Sequence, residues 1–335
     1  MKIIFNVVTS SNKKLGIPKT RIAYKVESKK GVYVLHPIID NISITAKIED
    51  LKIAQNVAYW VGKANQEGGL PLYSLKELGK YKNKETGRYK ASAILRVDKE
   101  AGALIQIGLP GYPCAIRLEF NPAHFSQGAI DKMDLYLKEL SKNTFGLGWF
   151  VKVGTITRVD IAVDILGVEF NDLVVQLRED RKVKLYVDKE GGLQTVTSLL
   201  DKGFKNMAYD KRAEIQEKGK YSEFEDYPRC RVEWRIGKTK KKLVSLGDIK
   251  CPWGSASIIF PPSQPPTGVQ DHVWSLFLDA CRFRGRDHAL SQLPLPLREK
   301  FKNAVDDPNN QIWRAKELWS KLPESLKLSV MSKYY

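Results

Sequence analysis

Cysteine is scarce in this chain, with four residues in 335 (Cys114, Cys230, Cys251 and Cys281), and none lies at a zinc-ligand or redox-motif spacing from another. Spread so widely, they read as reduced thiols of a cytosolic protein and exclude a disulfide-stapled secreted scaffold. Long apolar runs are missing as well. Nothing approaches the roughly 20 residues that a membrane-spanning helix needs. The apolar start, Met1 to Ser11, has no cleavage site, so no signal peptide is expected. The four histidines (His36, His124, His272 and His288) are far apart, which speaks against a histidine metal pair or a Ser–His triad. Neither a phosphate-cradling glycine loop nor a dinucleotide fingerprint occurs, so the chain is not expected to be its own ATP-driven motor.

Acidic residues are in deficit: 38 Asp and Glu face 55 Lys and Arg, a formal charge of +17 with a pI near 9.5. A polyanion is the natural partner of such a surface, because each neutralised phosphate releases counterions and the field steers encounter. A merely basic surface is the plain alternative. An anionic membrane is disfavoured by the lack of a basic amphipathic segment or lipidation signal. With 43% hydrophobic and 28% charged residues the chain should fold, and its length is comfortable for two domains without by itself choosing between one and two.

Alternation and helical spacing give the element order. Strands are expected at Lys2–Val8, Arg21–Val26, Gly31–Leu35 and Ile42–Ile48, then a helix over Asp50–Lys63. An exposed lysine-rich loop is expected at Gly79–Lys90. Three strands follow, Ala91–Val97, Ala103–Leu109 and Ala115–Phe120, antiparallel because their connections are short. Ser126 is placed to cap a helix running to about Lys142. A strand at Gly154–Ile165 leads to a helix from near Asn171 to Arg178–Lys182, and then to strands at Lys184–Val187, Leu193–Ser198, Phe204–Tyr209 and Arg229–Ile236. Prolines 261, 262, 265 and 266 break the pattern. The expectation is an α+β fold: an antiparallel sheet with helices on one face (1–250), a proline-rich linker (251–268) and a helical C-terminal domain (269–335).

The chemistry is concentrated on the outward faces of strands. From Thr157 to Ile165, Val159, Ile161, Val163 and Ile165 face one way, and Arg158, Asp160, Ala162 and Asp164 the other. Carboxylates two pleats apart suit Mg²⁺ or Mn²⁺, which prefer oxygen ligands; a solvated polar face is the competing reading. Arg231, Glu233 and Arg235 repeat the mixture, as do Arg117, Glu119 and Asn121. Three such strands in one sheet would give an acidic centre with a basic rim, as phosphodiester chemistry requires. Lys205, Met207, Tyr209 and Lys211 share a face if their strand is regular, making Tyr209 a candidate nucleophile between cations. Lys240, Lys241 and Lys242 offer phosphate contacts. The helices past the prolines show no recognition-helix signature.

Five segments, in order, carry a likeness: Ile39–Thr45 (IDNISIT), Leu118–Pro122 (LEFNP), Thr157–Asp164 (TRVDIAVD), Tyr209–Glu214 (YDKRAE) and Arg231–Arg235 (RVEWR). Together they resemble the replication initiation factor family of rolling-circle plasmids and filamentous phages. The resemblance implies a sheet-based protein that nicks and religates one strand of origin DNA through a tyrosine and a divalent cation (Mg or Mn), and that recruits a host helicase. It implies Asp160, Glu233 and Asp164 for the metal, and Arg158, Arg231 and Arg235 for phosphate. The basic positions Arg117, Lys205, Lys211 and Lys240–Lys242, read from the residues themselves, are expected as further DNA contacts. Double- and single-stranded DNA are the expected partners, with no membrane and with oligomeric state, a dimer included, left open. The chain departs from the family where its nucleophile is expected. Gln194–Leu199 offers Thr195, Thr197 and Ser198 but no tyrosine, leaving Tyr186, Tyr209 or Tyr221 to serve, or a protein that binds DNA without cutting it.

Overall fold

The computed structural model describes residues 23–25, 31–67, 78–79, 89–98, 101–177, 183–187, 189, 191–199, 205–217, 229–237, 239–249, 251, 253–254 and 256–324. The strand expected at Lys2–Val8, and Tyr221, lie outside them. In chain order the elements are β1 (Ala23–Lys25), β2 (Tyr33–Leu35), β3 (Ile38–Lys47), α1 (Leu51–Glu67), β4 (Leu78–Gly79), β5 (Ala91–Arg96), β6 (Gly102–Leu109), β7 (Tyr112–Phe120), α2 (Gln127–Leu140), α3 (Leu147–Val153) and β8 (Thr155–Leu166). They continue with β9 (Val174–Gln176), β10 (Val183–Val187), β11 (Leu193–Leu199), β12 (Lys205–Asp210), α4 (Lys211–Glu217), β13 (Arg229–Gly237), β14 (Ser257–Ile259), α5 (Asp271–Arg284), α6 (Arg286–Ser291), α7 (Leu295–Asp306) and α8 (Ala315–Ser320). This is an α+β fold with a mostly antiparallel sheet and helices at the C-terminal end. Among the described residues no helix is long and apolar enough to cross a membrane.

The chain divides into two compact units. Unit 1 takes residues 1–37, 162–234 and 251–325; unit 2 takes 38–161, 235–250 and 326–335, so β8 and β13 contribute residues to both.

In unit 2 the strand order is β8-β3-β7-β6-β5-β4. One face is apolar because alternate residues point the same way: Ile42 and Ile44, Ile116 and Leu118, Ile105 and Ile107, and Ala93 and Leu95 are all buried. The helix α1 packs against β4–β7 and buries Ala54, Val57, Val61 and Ala64, a stripe at helical spacing. Ser126 caps α2 as its sequence position implies, its Oγ accepting from Ala129 N at 3.1 Å. The short α3, absent from the sequence reading, packs against β3 and is bounded by Gly146 and Gly154.

In unit 1 the order is β10-β11-β12-β13-β8, with β2 also paired to β8 and β1 to β2. The helix expected from Asn171 is instead a single 3₁₀ turn, Phe170–Asp172, followed by β9. Val174 and Val175 are β-branched, buried and paired to β14, which outweighs helical spacing there. That partner strand lies within the stretch expected to be an irregular linker. The helices α5–α7 bury Trp274, Phe277, Phe301 and Val305 with Val174 and Ile259 in one cluster, and Trp234, Trp253 and Trp313 pack ring against ring. Lys211 opens α4 rather than extending β12: Asp210 accepts from Ala213 N at 3.0 Å and starts a helix.

Candidate functional site

The other face of unit 2 is a hydrogen-bonded polar layer. Arg117 donates to Ser43, to Gln106 Oε1 (2.7 Å) and to Glu119, and Gln106 passes the chain on to Ser92 (3.2 Å). Arg158 donates to Glu119 Oε1 (3.3 Å) and grips both oxygens of Asp160. Arg235 grips the same carboxylate from 3.2–3.3 Å. Asn41 donates to Glu119 at 2.9 Å. Thr157 reaches Ser43 and Thr45, so the strict alternation expected from Thr157 begins at Arg158.

Depth orders these charges. Asp160 is 2% exposed and Glu119 17%, whereas the side chains of Arg117, Arg158 and Arg235 are 23%, 27% and 32% exposed. Acid lies beneath and base above. Buried ions persist only when paired and hydrogen-bonded, and here each carboxylate has at least two charged or amide donors. Tyr89 joins the layer by a hydrogen bond to Thr45; burial pushes its phenol above the ordinary value, and Arg117 and Thr45 oppose the rise more than Glu119 adds to it. Sequence reasoning missed Tyr89 because it lies in a basic, glycine-bearing stretch (Gly87, Arg88, Lys90) expected to be an exposed loop. Glu119 was legible as an outward position, whereas Ser43 and Gln106 lay in expected strands without being singled out.

Lys240, Lys241 and Lys242 are exposed in unit 2. Their loop is tied to β8 by Thr239 Oγ1 donating to Ile156 O (2.8 Å) and Ile156 N donating to Lys241 O (2.8 Å), while Lys240 takes a left-handed backbone, φ 53°.

Unit 1 repeats the layering. Asp164, 0% exposed, accepts from Arg231 Nε (2.6 Å), Arg231 Nη2 (3.0 Å) and Arg229 Nη2 (2.6 Å). Two residues along, Glu233 accepts from Tyr209 Oη at 3.4 Å, and Lys211 Nζ stands 5.6 Å from the Tyr209 ring while pairing with Glu214. Strand register carries this face outward: Tyr209 is opposite Thr195, which is opposite Tyr186; Met207 is opposite Thr197, which is opposite Lys184. Lys205 lies two positions before Met207 on the same face. Tyr209 is 8% exposed and Tyr186 56%. On the reverse side, burial pushes the Cys230 thiol well up, and Asp210, Glu169 and Asp172 add to it.

The implied divalent cation can be tested on the donor set. A hard cation needs open carboxylate oxygens and room for its waters. Asp160 and Asp164 instead sit under two guanidinium groups each, an arrangement that does not fit such an ion. Among the described residues no three His, Cys, Asp or Glu side chains are grouped to hold a metal. Neither a protein-family model nor a curated protein matches the chain.

Proposed function

We propose that this is a cytoplasmic DNA-binding protein of the replication-initiating kind, which breaks and rejoins one strand of origin DNA through a tyrosine and works with a helicase. The observation that carries the reading is the unit 1 sheet face, where Tyr186, Thr195, Tyr209 and Glu233 follow one another across four strands beside Arg229 and Arg231. A net charge of +17 supports the DNA partner, and the five ordered segments support the class of activity.

On this reading a phenol oxygen bonds to phosphorus as the P–O3′ bond breaks. The phenol's proton ends on the departing 3′ oxygen, by way of a neighbouring carboxylate such as Glu233. Guanidinium groups offset the charge that builds on the phosphoryl oxygens. Phosphodiester is exchanged for phosphodiester, so rejoining reverses the same steps.

The test is to incubate the protein with supercoiled origin DNA in Mg²⁺ or Mn²⁺, denature it, and map any DNA-linked peptide. An adduct on Tyr186 or Tyr209, abolished by the corresponding Tyr→Phe change, supports the reading. Absence of nicking and of adduct in either metal sinks it. A second reading, DNA binding without cleavage, is favoured by Thr195 and Thr197 occupying the strand where the resemblance expects a tyrosine. Site protection without nicking is its signature.

A further inference from the structure

We infer that the polar face of unit 2 is a clamp for the phosphodiester backbone that needs no metal ion, in which Asp160 and Glu119 are positioning residues for Arg117, Arg158 and Arg235. The inference rests on the DNA-binding part of the proposed function and assigns Asp160 a role other than cation ligand.

Three observations carry it. The first is depth: Asp160 is buried and Glu119 half-buried, while the guanidinium groups of Arg117, Arg158 and Arg235 are the more exposed members of the layer, so the surface offered to solvent is mainly cationic. A dication would have to pass that layer, whereas a phosphate meets it directly. The second is rigidity. Free arginine loses rotamer entropy on binding; here Arg117 is held by Ser43, Gln106 and Glu119, Arg158 by Glu119 and Asp160, and Arg235 by Asp160. A planar fork fixed before binding gives up less on meeting a phosphate. The third is extent and balance. The three guanidinium groups stand on β7, β8 and β13, which at the usual strand spacing spans about 14 Å, long enough for more than one phosphate. Three guanidinium groups share the two carboxylates Asp160 and Glu119.

The roles separate in solution. Binding of a labelled mixed-sequence oligonucleotide, single-stranded in one arm and duplex in the other, is measured across a salt series in EDTA and again in Mg²⁺ at matched ionic strength. The wild-type chain is expected to bind comparably in both buffers. Each of R117A, R158A and R235A is expected to lower the slope of log K against log salt by roughly 0.7 to 0.9. The decisive variant is Asp160→Asn, which removes a negative charge at constant shape. If Asp160 positions the arginines, binding in EDTA weakens by about tenfold even though the protein has become more positive. If the carboxylate merely repels DNA, binding tightens; if it is a metal ligand, the loss appears only in Mg²⁺. Either of those results overturns the inference. E119Q reports in the same way should D160N fold poorly, as judged by its thermal midpoint, and R158K with R235K, which keep charge but lose the fork, should weaken binding with little change in slope. A wild-type chain that binds neither oligonucleotide removes the DNA reading itself, whereas a chain that binds but ignores all three arginine changes removes only the clamp.

Discussion

Replacing Asp164 by alanine probes the most deeply buried charge of unit 1. The carboxylate is fully buried and takes a two-point grip from Arg231, 2.6 and 3.0 Å, with a third bond from Arg229 at 2.6 Å. Arg231 is only 6% exposed, so the variant strands a guanidinium group that water reaches poorly. Breaking one side of such a pair costs about 3–5 kcal/mol. Arg229 is 28% exposed and can rehydrate, so it should add little. For a unit of this size that loss lowers the thermal midpoint by roughly 6–20 °C. The assay is a thermal melt with a parallel urea titration, read as a shift in midpoint because two compact units need not unfold as one. The double variant D164L/R231M tests the cause, since replacing both charges with apolar volume should recover most of the loss. A D164A shift below about 2 °C, or a double variant as damaged as the sum of its singles, refutes the buried pair.

Gly154→Ala should destabilise unit 2 by about 1–3 kcal/mol, because the new methyl is driven into Ile44 Cγ2 and the Phe150 carbonyl at an ordinary φ of −71°; a urea midpoint equal to wild type contradicts that packing. Ser126→Ala should cost about 1 kcal/mol through loss of the α2 cap, with Ser126→Asp restoring most of it. Burial pushes the Cys281 thiol from 9.0 up to about 12, so the native protein should resist a thiol reagent at pH 8 and react once unfolded. The same shift makes folding bind the proton more tightly. The stability it contributes is therefore full below pH 9 and is lost as pH rises from 9 towards 12, and the thermal midpoint should fall across that window.

Much of the architecture was legible in the residues. Periodicity located β5, β6, β7, β8, β12, β13 and α1 to within a few positions, and Ser126 marked the start of α2, because alternation and capping are local and act on neighbours in the chain. The failures have two origins, one distant and one local. The run after Asn171 is helical by spacing but is claimed as a strand by Ser257–Ile259, some eighty positions away, and Asp210 turns Lys211 into a helix through a bond no alternation pattern records.

The site divides in the same way. Which side chains share a face was determined by the sequence, since a pleated strand sends residues alternately to its two sides: Arg117 with Glu119, Arg158 with Asp160, Arg231 with Glu233. Depth was decided by tertiary structure alone. Pairing brought Arg235 to Asp160 and Arg229 to Asp164 from more than sixty residues away, and packing buried both aspartates while leaving most of the guanidinium groups partly in solvent. An outward-pointing aspartate looks the same in a sequence whether it lies open to a cation or beneath two arginines, because burial depends on what the rest of the chain lays beside it.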